Sequence, residues 1–299
     1  MCTPAQLQGL ATASAGETHA LAHVLGRCTC RRTLLKSALA FTAAPLLGRM
    51  PALADAQQLE VSEIAPGVFV HQGRYELQSP QNRGDMSNAS FVIGNDAVAV
   101  IDTLGSAKVG RELRAAIRAV TDKPIRYVVN THMHPDHVFG NAAFKDDNPE
   151  FVGHHKLKRG LEARREGYMA ASKEMLGEDA FAGSEIILPT LAVEDTLTLD
   201  LGGRKLVCEA QKTAHTDNDL VITDSKTDTA FFGDLLFSGH IPTLDGSLRG
   251  WLALIEQLEA RKAARVVPGH GPHAMQLPEA MLPEKQYWSV VASDVRKLI

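Results

Sequence analysis

The spacing of apolar positions along the chain changes period several times, and each change marks an element. Val61 to His71 alternate about Pro66–Gly67, which predicts two short strands joined by a turn. Gly73 to Asn88 is polar and turn-rich, a long loop. Ala89–Gly94 and Ala97–Asp102 are apolar runs split by Asn95–Asp96, which predicts a hairpin. Val109, Leu113, Ile117 and Val120 recur at helical spacing behind Ser106, a helix-capping residue, and Thr121–Pro124 stops that helix. Ile125–Val129 reads as another strand. The pattern then predicts a short helix over Val138–Phe144, a strand over Glu150–Gly153 and a long charged helix over Lys156–Leu176, with a loop over Gly183–Thr190. Short strands follow at Thr196–Leu201, Arg204–Gln211, Leu220–Thr223 and Thr229–Gly233. An amphipathic helix at Gly250–Ala264, a strand at Arg265–Val267 and a helix from Pro278 to Leu298 complete the pattern. Each half makes a sheet backed by helices. Packed sheet to sheet, the halves predict a four-layer αββα sandwich of the α+β class in one domain.

The first 56 residues stand apart. Residues 1–30 show no periodicity. Arg31–Arg32, followed by Leu34–Leu35–Lys36, the mild apolar stretch Ser37–Leu47 and the small residues Ala54–Asp55–Ala56, has the order of a secretory signal. The paired arginines and weak apolar region resemble the twin-arginine type. The expected organisation is therefore a leader over residues 1–56, a catalytic domain over residues 57–299 and a periplasmic location. No stable membrane insertion is expected once the signal is cleaved. The whole chain of 299 residues carries a formal charge of −4. Loss of the leader makes the remainder more acidic, which argues against nucleic acid as a partner and favours a small-molecule substrate. Of the four cysteines, only Cys208 lies beyond the leader, so no disulfide framework is expected, and Cys208 reads as a buried strand residue.

Chemistry concentrates after the strand Ile125–Val129. There the chain reads N-T-H-M-H-P-D-H-V-F-G, placing His132, His134, Asp136 and His137 within six residues. Imidazole and carboxylate together suit zinc and similar divalent ions. Three later positions supply the same side-chain types at strand ends, where rigid scaffolds commonly hold ligands: His215 in A-H-T, Asp234 in G-D and His270 in P-G-H-G.

These motifs, in this order, resemble the metallo-β-lactamase superfamily of hydrolases over about residues 60–271. The resemblance implies a dinuclear site between the sheets, with two Zn2+ per chain; iron or manganese would also suit the donors. It implies that His132, His134 and His215 bind one ion, that Asp136, His137 and His270 bind the other, and that Asp234 bridges them. It also implies attack by metal-bound hydroxide on an ester, thioester, lactone or amide, with Asp136 orienting the nucleophile or accepting its proton. Asp102 and Asp219 are candidate carboxylates behind the histidines.

The wording T-H-M-H-P-D-H-V-F-G-N-A-A-F, with A-H-T-D-N-D-L and D-G-S-L-R-G-W-L, resembles one exported branch, the quinoprotein relay system zinc metallohydrolases. That resemblance implies a functional link to a periplasmic quinoprotein. Class B1 β-lactamases place Cys where this chain has Asp234, which argues against a dedicated lactamase. The 28 residues after Gly271 leave no room for the helical glutathione-binding domain of a glyoxalase II. Two alternatives stay open: a mononuclear iron persulfide dioxygenase of the same fold, and a non-catalytic metal-binding accessory protein. The loop Arg74–Asn88 and the segment Ser238–Arg249 are expected to rim the pocket, with Arg83 and His240 as candidate substrate contacts. His154 and His155 read as strand-end residues, and Trp251 as core.

Overall fold

The alternation about Pro66–Gly67 folds into an antiparallel hairpin of β1 (Ser62–Ala65) and β2 (Val68–His71) in a computed structural model that describes residues 59–298. The leader over residues 1–56, with its arginine pair and Ala54–Ala56, lies outside the described residues. After β2, the chain adds β3 (Ala89–Ile93), β4 (Val98–Ile101), β5 (Ile125–Val129), β6 (Glu150–His154) and β7 (Leu191–Val193) in sequential order to one seven-stranded sheet. The first pairs are antiparallel. The pairs from β4 to β7 are parallel, because α1 (Ala107–Val120) and α3 (Leu157–Phe181) occupy crossovers. A second sheet holds β8 (Thr196–Asp200), β9 (Lys205–Ala210), β10 (Leu220–Asp224), β11 (Thr229–Phe237) and β12 (Arg265–His270). Its order is β12-β11-β10-β9-β8.

The two sheets face each other. Val92, Ile101 and Val129 of the first meet Leu206, Cys208, Ile222 and Phe231 of the second. Burial pushes the Cys208 thiol up to about 12, so it is an inert core group. The outer face of the first sheet packs Phe91, Val100 and Val128 against Val109, Leu113 and Ile117 of α1. Helices α4 (Leu248–Glu259) and α5 (Leu282–Leu298) cover the second sheet, with Trp251 and Trp288 against Val221 and Phe232. The four-layer αββα sandwich is the predicted one, and Trp251 is core. No helix among the described residues is long and apolar enough to cross a membrane.

Several boundaries differ from the sequence pattern. The stretch expected as a helix over Val138–Phe144 is a one-turn α2 (Pro135–Val138) followed by a 3-10 helix over Phe139–Asp147. Helix α3 runs past Leu176 to Phe181, bending at Gly177, whose φ of +77° a glycine adopts without strain. Strand β7 is three residues long, too short to show a period. Strand β11 continues through Gly233 to Phe237, and β12 reaches His270. Gly233 sits at φ +51°, where the register against β12 shifts, which interrupts the alternation without ending the strand. Asp234 therefore lies inside a strand, not just past one.

One polar clamp joins the sheets. Arg204 donates from Nε and Nη2 to the Asp224 carboxylate, at 2.9 and 2.6 Å, and from Nη1 to the carbonyls of Pro66 and Ile93, both at 2.9 Å. Both side chains of the ion pair are buried. Burial would raise the Asp224 carboxyl, but hydrogen bonds from Arg204 and Thr227 hold it below the ordinary carboxylate range. Arg204→Leu would strand that charge and is expected to cost about 3–5 kcal/mol in urea unfolding. Because the Asp224 pKa is depressed, its stabilisation is complete above the unfolded value and lost as pH falls through the folded one. The stability gap between the wild type and Asp224→Asn should therefore hold at neutral pH and narrow as pH falls below the ordinary carboxylate range, about pH 4.

Candidate metal centre

Strand β5 delivers Asn130 and Thr131 to the sheet edge, and the next turn carries His132 and His134. Pro135 opens α2, which presents Asp136 and His137 from its first turn. His215 comes from the β9–β10 loop, Asp234 from mid-β11 and His270 from the last position of β12. The structure thus gathers donors from both sheets into two groups. His132, His134, His215 and Asp234 form one, and Asp136, His137 and His270 the other. Within each group, the ligand-type atoms lie within 4.8 Å of one another.

The groups meet at Asp234. Its Oδ2 is 3.7 Å from His132 Nε2, 3.5 Å from His215 Nε2 and 3.4 Å from His270 Nε2. Its Oδ1 is 3.1 Å from His137 Nε2. Asp136 Oδ2 lies 3.2 Å from His270 Nε2 and 3.5 Å from His137 Nε2. His134 Nδ1 and His215 Nε2 face each other at 2.9 Å.

Each of the five imidazoles also has its outer nitrogen engaged. His132 Nδ1 pairs with Thr131 Oγ1 at 3.0 Å, and His134 Nε2 with Asp245 Oδ2 at 3.3 Å. His137 Nδ1 meets Asp102 Oδ2 at 2.8 Å. His215 Nδ1 donates to the Thr243 carbonyl at 2.7 Å, and His270 Nδ1 to the Met86 carbonyl at 3.0 Å. An imidazole that donates outward presents a lone pair inward, the tautomer a metal requires. Asp102 serves two histidines, because its carboxylate also accepts from the Thr131 N–H at 2.8 Å and hydroxyl at 2.7 Å. It does so from a left-handed conformation at φ +56°, just past β4.

The donors fit divalent ions. His132 Nε2, His137 Nε2 and Asp234 Oδ1 are buried without a hydrogen-bond partner. Such atoms cost about 1–3 kcal/mol each when left unsatisfied. All three point into the cluster, and nitrogen and carboxylate oxygen are donors that zinc accepts. Burial pushes His132 well down and His215 down to about 4, so both are neutral, as ligands must be. Burial opposes charge on His137 and His270 as well. There the carboxylates of Asp234 and Asp136 prevail and raise both, His270 to about 9. A cation is favoured between those carboxylates, and a divalent ion can take the place of the protons.

Some sequence expectations land elsewhere. Asp219 does not touch the His215 ring. It accepts from the backbone N–H and hydroxyl of Thr216 and so holds the loop that carries His215. Burial pushes its carboxyl up to about 7. Arg83 pairs with Glu112 at 2.8 Å and lies outside the cavity over the metal donors, while His240 lines it. His154 and His155 stack on each other away from that cavity. Thr131, Thr243, Asp245 and the Met86 carbonyl were not anticipated. Backbone carbonyls leave no trace in residue type. Asp245, within D-G-S-L-R-G, and Thr131, within T-H-M-H, were visible in the quoted motifs without any spacing that assigns them a role.

A family profile described as "Metallo-beta-lactamase superfamily" matches residues 82–270. The chain belongs to the metallo-beta-lactamase superfamily. Its fold resembles a metallo-beta-lactamase from Pontibacter korlensis at a TM-score of 0.63, with 22% identity over 78% of this chain and 99% of that one. It also resembles the metallo-beta-lactamase FIM-1 from Pseudomonas aeruginosa, solved in a mono-zinc form, at a TM-score of 0.60, with 21% identity over 78% of this chain and 96% of that one. A linear primary-alkylsulfatase from a Pseudomonas species is 28% identical over 217 residues. The match covers 59% of this chain and 40% of the sulfatase, so the chain accounts for well under half the length of that relative.

Asp102→Ala removes the partner of His137 and, through Thr131, of His132. Metal affinity should fall about 10- to 100-fold in a competitive chelator titration, while the folded circular-dichroism spectrum persists.

Proposed function

We propose that the protein is a dinuclear zinc-dependent hydrolase that cleaves an ester, thioester, lactone or amide. The observation that carries this reading is the convergence of seven donor side chains in two touching groups, with all five outer imidazole nitrogens already engaged. Two bound zinc ions would lower the pKa of a coordinated water to near 7 and polarise the bond to be cleaved. His132, His134 and His215 would hold one ion, Asp136, His137 and His270 the other, with Asp234 between them.

The chain supplies the rest of the chemistry by position. Asp136 and Asp234 both touch His270 at the cavity floor, and Asp136 is the more open of the two to the space above. From there it can orient an attacking water or accept its proton. The Ser87 hydroxyl donates to the Asp136 carbonyl, and the Thr103 hydroxyl donates to that of His137, which fixes α2 at the floor. Seven donors favour two ions over the single iron of a persulfide dioxygenase. The twin-arginine-type leader and the likeness to the quinoprotein relay group support export to the periplasm and a role beside a quinoprotein there.

The test is purified protein with its metal content measured, assayed on esters, thioesters, lactones and β-lactams with and without chelator. Primary alkyl sulfates join the panel because of the sulfatase relative. Two zinc per chain and chelator-sensitive turnover are expected. One iron with oxygen uptake on a persulfide would overturn the reading. Asp136→Ala should lower kcat/KM about 10²- to 10⁴-fold, and full activity in that variant would remove Asp136 from the reaction.

A further inference from the structure

The cavity above the metal donors, about 750 Å3 in volume, has a floor and a rim of opposite character. His134, Asp136, Asp234 and His270 form the floor. Tyr75, Leu77, Met86, Met175, Phe237 and Ile241 form the apolar half of the wall, which also holds the polar Glu76, Gln78, His240 and Thr243. These wall residues come from separate parts of the chain: the β2–β3 loop, α3, β11 and the segment after it. Four of them keep large apolar surfaces in solvent, with Leu77 85%, Ile241 76%, Tyr75 51% and Met175 48% exposed. Apolar side chains converging from separate segments onto one concave site mark a binding surface rather than scattered exposure.

The charge on that wall is equally informative. Among the described residues no Lys or Arg lines the cavity, and the one charged residue besides the metal-type donors is acidic, Glu76. The Arg164 guanidinium, which reaches Asp245 behind His134, is held by that carboxylate. A substrate carrying a second anion away from the reacting bond would meet no cation here and would lose its hydration without replacement. A neutral apolar chain loses nothing polar and gains burial against the wall.

We infer that the part of the substrate that does not react is an uncharged apolar chain, an acyl or alkyl tail lying between Leu77 and Ile241 while its ester, thioester or lactone group reaches the floor. This rests on the hydrolase reading for the head group. The tail surface stands on the cavity alone.

The zinc-loaded protein is assayed on a homologous series of neutral p-nitrophenyl esters from acetate to octanoate, and on a matched series ending in a terminal carboxylate. Separately, the methionine methyl groups are labelled with carbon-13, and linear alcohols from butanol to decanol are added without any reacting group. Each added methylene should raise kcat/KM about two- to fourfold until the chain outgrows the cavity. The carboxylate series should show no such rise. The Met86 and Met175 methyl signals should shift, at lower concentration for longer alcohols. In the Leu77→Ser/Ile241→Ser double variant, whose changes fall on exposed side chains, the octanoate-to-acetate ratio should fall toward one. Ester turnover with no chain-length dependence and no methionine shift overturns the tail and leaves the hydrolase reading intact. A chain-length dependence that survives the double variant also overturns it. Methionine shifts with no turnover of any ester, nor of thioesters, lactones and amides of matched chain length, leave the tail site and overturn the hydrolase reading.

Discussion

Five imidazoles and two carboxylates, all but His134 buried, at the meeting edge of two sheets create a desolvation cost that apolar packing cannot offset. Apart from the contact between His134 and His215, protein hydrogen bonds satisfy the outward side of the cluster. Thr131, Asp245, Asp102 and the Thr243 and Met86 carbonyls each take one ring nitrogen, while the inner atoms of His132, His137 and Asp234 face one another without a hydrogen-bond partner. The protein determines where each ring points and leaves the inner charge balance to a cation. That division of labour, with geometry from the chain and compensation from a metal, explains why so polar a cluster is tolerated beside a core of Val, Leu and Phe.

Small residues and strand backbones give the cluster its close approach. A Cβ on Gly269 would stand 1.9 Å from Asp234 Oδ1, and one on Gly233 would stand 2.5 Å from Thr131 Oγ1. Glycine at these two positions lets β11 and β12 pass directly against the donors. Placing Asp234 inside β11, between the pairings of Gly233 with Pro268 and Phe237 with His270, sets the shared carboxylate on a strand bound to the one that carries His270. Asp102 plays the corresponding part on the outside, backing one histidine directly and another through Thr131. The two donor groups are thus tied together twice, at Asp234 from within and at Asp102 from behind.

Much of this was legible in the chain because donors are rare residue types at characteristic intervals. H-x-H-x-D-H after an apolar strand, then His215, Asp234 and His270, need no coordinates to be noticed. The layer order follows from helical and strand periods that are strong in α1, β3, β4 and β5. What escaped was of two kinds. Short or interrupted elements carry too few periods, as in β7, the 3-10 helix after α2 and the half of β11 beyond Gly233. Partners that act through backbone, such as the Met86 and Thr243 carbonyls, have no signature in residue identity. Asp219 misled because proximity in sequence to His215 suggested contact with the ring, whereas a side chain four residues away in a turn caps the turn itself.

The loop between β2 and β3 connects the two halves of the site. Met86 holds the His270 ring, Ser87 donates to the Asp136 carbonyl, and Asn88 binds the carbonyls of Pro268 and Gly271 beside His270. The same loop carries Tyr75 and Leu77 to the apolar wall. Its base is anchored away from the site by the buried pair of His71 and Asp85 at 2.8 Å, with Arg74 adding a second contact to Asp85. Part of the wall and the support of His270 and Asp136 at the floor therefore come from one stretch of backbone. On the reading proposed above, the apolar lip and the reacting position share that stretch, so the site would measure where along a chain the scissile group lies as well as whether the chain is apolar.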